Sequence, residues 1–165
     1  MGLFDFVKEA GAKMFGADER EAAAKAAAEA DQAEARKLAD RRRAMKLVNM
    51  VEQLGLGIDD LSIKVEGAKA TVSGSAASQA DKEKLVLVVG NTEGISQVEE
   101  NVKIEAPEPE ATFYTVQPGD SLSKIAKQHY GNAMKYPVIF EANKPMLTDP
   151  DKIYPGQVLR IPAVD

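Results

Sequence analysis

Cysteine is absent from the 165 residues. That excludes disulfides and thiolate chemistry, and it is compatible with a cytosolic protein. Histidine occurs once, at His129, so no histidine-built metal centre can form. No apolar run approaches the roughly 18 residues of a membrane span. The opening residues lack the basic start of a secretory signal, and Asp5, Lys8 and Glu9 break their apolar run. Gly2 is followed at position six by Phe6, where N-myristoylation favours Ser or Thr. A cytoplasmic location is therefore the expectation. Positive charge is also in deficit. Lys and Arg number 21 against 26 Asp and Glu, a net charge of −5, which argues against nucleic acid as a partner. No Walker or Rossmann glycine pattern appears, and Gly90-x-x-x-Gly94 lacks the lysine and preceding strand that phosphate binding needs. No nucleophile stands beside a base, and His129 sits next to Tyr130 in a helical pattern as a structural or solvent-exposed residue. The chain is not expected to be an enzyme.

What is present is ordinary soluble-protein material. Hydrophobic residues make up 44% and charged residues 28%, enough for one medium domain or two small ones. In residues 1–16, Leu3, Phe4, Phe6, Val7, Ala10 and Met14 recur at helical spacing. This predicts a short helix that docks on a neighbouring core. A membrane-surface helix is the alternative, disfavoured by the mixed charge of the polar face. Residues 17–43 are rich in alanine, the best helix former, with a favourable Glu21–Lys25 pair and a single large apolar residue, Leu38. They read either as a solvated extension of the next helix or as a frayed linker. Arg41, Arg42 and Arg43 read as a solvated helical face.

Residues 44–105 change character. Ala44, Leu47, Val48, Val51 and Leu54 form a buried helical stripe ended by Gly55 and Gly57. Leu61, Ile63 and Val65, then Ala70 and Val72, alternate around Gly67-Ala68 as a hairpin. Ser78 and Asp81 form a variant capping box for a helix with Ala80, Leu85, Val88 and Val89, closed by Gly90. A strand with Val98, Val102 and Ile104 follows. This order predicts an α+β sandwich, αββαβ. Residues 106–112 are a Pro- and Glu-rich linker. Residues 113–163 read as βααβ. Strands Phe113–Val116 and Val158–Ile161 flank a helix with Leu122, Ile125, Ala126 and Tyr130. Asp120 or Ser121 opens that helix and Gly131 closes it. A second helix, with Val138, Ile139 and Ala142, stops before Pro145. Such a small unit must pair its two strands and bury one face on the helices.

Three resemblances attach to these patterns. Tyr114-x-Val116-x-x-Gly119-Asp120-Ser121-Leu122, the Ala142-Asn143 pair and Ile153-x-Pro155-Gly156-Gln157-x-Leu159-x-Ile161-Pro162 resemble a LysM domain. That family binds N-acetylglucosamine glycans such as peptidoglycan. The resemblance implies a glycan site at Gly119, Asp120, Ser121, Leu122, Lys152, Ile153 and Tyr154. Asp120 and Ser121 read equally well as helix caps, and Pro155-Gly156 as a turn. Val72-x-Gly74 and Gly94-Ile95-x-x-Val98 resemble a BON domain, a family often periplasmic and linked to phospholipid or the outer membrane. An absent export signal disfavours both envelope readings.

The whole plan resembles small bacterial potassium-binding proteins of BON–LysM architecture. The resemblance rests on Gly2-Leu3-Phe4-x-Phe6-Val7-Lys8-x-Ala10-Gly11, on Gly90-Asn91-x-x-Gly94-Ile95, and on Asn143 to Leu147 and onward to Pro162. It departs at residues 17–44, where this chain carries a longer Ala-rich segment. It implies K+ as ligand, held by main-chain carbonyls of Val7, Ala10, Gly90, Thr92 and Ile95. With K+ as ligand, a contact between the two domains is expected, and repulsion between the carbonyls without the ion predicts a conformational response suited to a K+ sensor or buffer in osmotic or ionic stress. The chemistry is sound: K+ is coordinated by neutral carbonyls, and helix C-termini present unpaired carbonyls with partial negative charge. Gly90 closes one such helix, and the Ala10–Gly11 step is a candidate second end.

Overall fold

A computed structural model describes residues 2–5, 32–105 and 108–164. Strand β1 is Gly2–Asp5 and helix α1 is Gln32–Leu54. The first domain continues with β2 (Ile58–Glu66), β3 (Lys69–Ala76), α2 (Gln79–Gly90) and β4 (Gln97–Ile104). The second holds β5 (Thr112–Thr115), α3 (Leu122–Tyr130), a 3-10 turn (Ala133–Lys135), α4 (Tyr136–Ala142) and β6 (Val158–Ile161). The protein is therefore α+β, built on a four-stranded and a two-stranded sheet.

The first sheet has the order β1-β4-β3-β2. β2 and β3 form the expected antiparallel hairpin, and β3 and β4 run parallel, joined through α2. Ile63 pairs with Val72, Val65 with Ala70, and Ala70 with Val98, so buried residues align on one face. The helices cover that face. Ala35, Ala39, Ala44, Leu47 and Val51 are the buried side of α1. The helix starts at Gln32, so over 32–43 the Ala-rich segment is an extension of α1 rather than a linker. Residues 17–31 lie outside the described residues. Gly74 has φ +148 where β3 passes the irregular stretch of β2, and a Cβ there would lie 2.8 Å from the Asp59 carbonyl oxygen. No side chain fits that approach.

Residues 2–5 correct the helix predicted for residues 1–16. They form a strand, antiparallel to β4, with Gly2 opposite Glu100 and Asp5 opposite Gln97. The reason is hydrogen-bond supply. β4 has β3 on one edge only, and a strand on the other edge satisfies a row of backbone groups that a docked helix would leave unpaired. Residues 6–16 lie outside the described residues.

Helix α2 is the structural centre. Ser78 caps it: its Oγ accepts from the Asp81 N–H at 3.1 Å and donates to Asp81 Oδ2 at 2.8 Å. From Leu85 to Gly90 every residue is buried. A helix apolar all round is covered on more than one side. The sheet covers one side, and Met146 and Val158 of the second domain join the same core cluster.

In the second domain Thr112 to Thr115 pair with Ile161 to Val158. Ser121, not Asp120, caps α3, accepting from Lys124 N–H at 3.2 Å. Gly131 ends α3 in the left-handed region at φ +72. Val116, Leu122, Ile125, Ala126, Ile139, Leu147, Leu159 and Ile161 make a separate small core.

Candidate functional site

The candidate site is the turn of residues 90–95, between α2 and β4. Gly90 is the last helical residue and Asn91 the cap. Gly90 does not take the left-handed φ usual for a closing glycine; Gly94, at φ +90, takes it instead. The turn spends its own donors on the helix end. Asn91 N–H reaches Leu87 O at 2.9 Å, Thr92 N–H reaches Val89 O at 3.2 Å, and Thr92 Oγ1 donates to Val88 O at 3.0 Å. Ile95 N–H closes back onto Thr92 O at 3.2 Å. Gly90, Asn91, Thr92 and Ile95 are buried. The result is a compact loop at a helix C-terminus, an electronegative position, and it carries one ionisable side chain, that of Glu93. A carbonyl has two lone pairs, so Thr92 O retains coordinating capacity beside its one bond.

The turn is tied to both domains. Toward the second domain, Asn91 Nδ2 donates to Val158 O and Val158 N–H donates to Asn91 Oδ1, both at 2.9 Å. The amide thus mimics a peptide on the open edge of β6. Two turns earlier on α2, buried Glu83 accepts from Ala111 N–H at 3.1 Å, and its Oε2 lies 3.5 Å from Arg160 Nε. Toward α1, Arg43 Nη2 donates to Gly94 O at 3.3 Å.

Gly90, Thr92 and Ile95, named from sequence as carbonyl donors, stand together in this one turn. Val7 and Ala10 lie outside the described residues. The glycan candidates are mostly occupied with structure. Leu122 is buried in the second core. Ser121 caps α3. Asp120 Oδ2 accepts from Tyr114 OH at 2.6 Å and from Gln117 N–H at 2.8 Å. The Gly119 carbonyl accepts from Lys124 Nζ at 2.9 Å. Ile153 packs half-buried against the second core, and Tyr154 N–H donates to Gln157 Oε1 at 3.3 Å. Exposed His129 stacks edge-on against Tyr114, with ring centroids 5.2 Å apart.

Two residues escaped the sequence reading. Arg43 was read as part of a solvated face, yet its side chain is 11% exposed. Asn91 stood in a quoted motif without a role. The run Leu85–Val89 was a signal for the second, since an all-apolar helix needs a cover on both sides.

Known proteins extend this picture. A LysM domain family model matches residues 114–162, and a BON domain model matches residues 40–106. The potassium-binding protein Kbp of Escherichia coli O6:H1 is 46% identical over 163 residues, covering 98% of this chain and 99% of that protein. The chain belongs to the Kbp family. An uncharacterised Deinococcus radiodurans protein is 57% identical over 52 residues, 32% of this chain and 20% of its own length. An esterase of Mycobacterium tuberculosis is 47% identical over 53 residues, 11% of its length. Unlike Kbp, these two share only a module with this Kbp-family chain. Among the described residues of this family member, no helix is long and apolar enough to cross a membrane.

Proposed function

We propose that this protein binds K+ through main-chain carbonyls of Gly90, Thr92 and Ile95 together with Val7 and Ala10, and changes conformation on doing so. The register of β1 carries this reading. Asp5 lies opposite Gln97. Val7 is two residues beyond Asp5, and Ile95 two residues before Gln97. The observed pairing sets Asp5, the last described residue of β1, beside the strand that leaves the turn, which supports this reading. A full-length relative named for potassium binding supports the same ligand. A ring of neutral carbonyls suits a large, weakly hydrated monovalent cation.

The coupling runs through Asn91. With K+ bound, the carbonyls hold one arrangement and Asn91 is aimed at β6. Without it, the carbonyl dipoles repel one another, the turn relaxes, and the two-bond grip on Val158 weakens. The domains then loosen, which makes the protein a K+ sensor or buffer, acting in the cytoplasm under osmotic or ionic stress. NMR and small-angle scattering on desalted protein, titrated with KCl and separately with NaCl, test this. Compaction and shifts at residues 90–95 with KCl support the reading. No response, or an equal response to both salts, overturns it.

A further inference from the structure

The Gly90–Ile95 turn rests on a platform made by the β2–β3 hairpin. The Ala68 carbonyl accepts from Ser96 N–H at 2.8 Å and Gln97 N–H at 3.2 Å. Beside it, α1 supplies a two-residue clamp. Asp40 Oδ2 accepts from Gly67 N–H at 3.1 Å, and Arg43 Nη1 donates to Gly67 O at 2.6 Å. Both backbone polar groups of Gly67 are thereby held. Arg43 Nη1 also lies 3.2 Å from Asp40 Oδ1, which aims the guanidinium. Its other arm, Nη2, reaches the Gly94 carbonyl at 3.3 Å. Gly94 is where the turn reverses, and an added Cβ would lie 3.0 Å from that nitrogen. One planar fork spans helix, hairpin and ion turn.

We propose that Arg43, oriented by Asp40, is the positioning residue that holds the ion turn in its binding-competent arrangement. The inference rests on the K+ reading above. A bare guanidinium beside a cation site would repel the cation. Here Asp40 neutralises it at contact distance, so the pair contributes geometry at little electrostatic cost. The fork matters because two carbonyls on separate segments must be fixed at once. A lysine ammonium is a point donor and cannot do this.

K+ titrations of desalted wild type, Arg43→Ala, Arg43→Lys and Asp40→Asn, followed by calorimetry, test the role. Positioning predicts about tenfold weaker K+ binding for both Arg43 variants, equivalent to roughly 1.4 kcal/mol. It also predicts a K+/Na+ affinity ratio narrowed about threefold. A role through charge predicts the opposite sign for Arg43→Ala and no change for Arg43→Lys, and either result overturns the proposal. A merely structural role lowers the ion-free Tm while leaving the K+/Na+ ratio alone, which also overturns it. Asp40→Asn bares the Arg43 charge and, with one acceptor oxygen where the carboxylate uses two, gives up either the Arg43 or the Gly67 contact, so its K+ affinity falls and the part due to charge recovers with ionic strength. If Arg43→Ala does not fold, Arg43→Lys and Asp40→Asn carry the test. A wild type that ignores K+ removes the ion reading and this one together; a responsive wild type with unaffected variants removes this one alone.

Discussion

Two buried asparagines grip the same strand, one from each domain. Asn143, at the end of α4, donates through Nδ2 to Arg160 O at 2.9 Å and to Ile139 O at 2.7 Å, and accepts from Arg160 N–H at 2.8 Å. Asn91, at the end of α2, makes the matching pair of bonds to Val158. β6 has β5 on one side; on the other, the backbone groups of Val158 and Arg160 find these two amides. The chemistry is the same, but the positions differ. Asn143 closes a strand edge within its own domain and is a fixed part of that fold. Asn91 closes the adjacent edge position from another domain, and it sits in the turn proposed to hold the ion. On the K+ reading proposed above, the same amide geometry serves as a permanent brace in one place and as a switchable link in the other.

That contrast makes Asn143→Ala the most damaging substitution. It removes three bonds at a fully buried site and leaves backbone groups of β6 unsatisfied, at a cost of roughly 2–4 kcal/mol. Urea unfolding followed by NMR should show residues 114–162 melting early, with or without K+. Asn91→Ala leaves two backbone groups of Val158 unpaired, a smaller loss of about 1–3 kcal/mol. Its expected outcome is different in kind. The second domain stays folded, its tumbling uncouples from the first, and K+ affinity falls. If Asn91→Ala instead unfolds residues 114–162 while K+ binding is unchanged, the two asparagines are equivalent braces and the coupling idea fails.

The two halves were also unequally readable. In the second domain, motif residues coincide with local structural demands. Ser121 caps a helix, Gly131 takes a left-handed φ, and Pro155-Gly156 turns the chain. Local demands leave local signals. In the first domain, the hairpin, α2 and β4 were legible by periodicity. The turn proposed to hold the ion was legible only through resemblance, because carbonyl donors place no demand on side-chain type. The partners of that turn were hidden for a related reason. Arg43 lies 51 positions from Gly94 and Asn91 lies 67 from Val158, so no window along the chain contains either pair. The strand at residues 2–5 was misread as helix because an edge waiting on β4 is a fact of tertiary structure.

A pair of glycines sharpens the comparison at smaller amplitude. Gly131 and Gly94 both hold left-handed φ, at +72 and +90. Open space surrounds Gly131, so Gly131→Ala pays only the backbone cost, about 1 kcal/mol, with unchanged K+ binding. Gly94→Ala pays a similar backbone cost, but its methyl also displaces Arg43 from the Gly94 carbonyl. It should therefore lower K+ affinity several-fold, read by calorimetry, where Gly131→Ala does not. Equal K+ affinities for the two variants would show the turn to be indifferent to its own geometry.

The smallest effect expected is on acid stability, and it belongs to the second domain alone. The Tyr114 hydroxyl, and next the Gln117 N–H, hold the Asp120 carboxyl below its ordinary value near pH 4. A depressed folded-state pKa stabilises the fold at pH above the ordinary value. That stabilisation is lost as pH falls from there through the folded-state value. Asp120 is only partly shielded from water, so the gain is modest. The same hydrogen bond raises Tyr114, so its alkaline ionisation also opposes the bond. Asp120→Asn should flatten the acid limb of stability for residues 114–162, measured as Tm between pH 5 and pH 3, without changing the limb for residues 40–105. K+ affinity at neutral pH should also be unchanged, because the Tyr114–Asp120 bond lies within the second domain while the proposed ligands are main-chain carbonyls of the first. A K+ affinity that followed Asp120 would move part of the ion's control into the second domain, and the division of labour drawn from Asn91 and Asn143 would have to be redrawn.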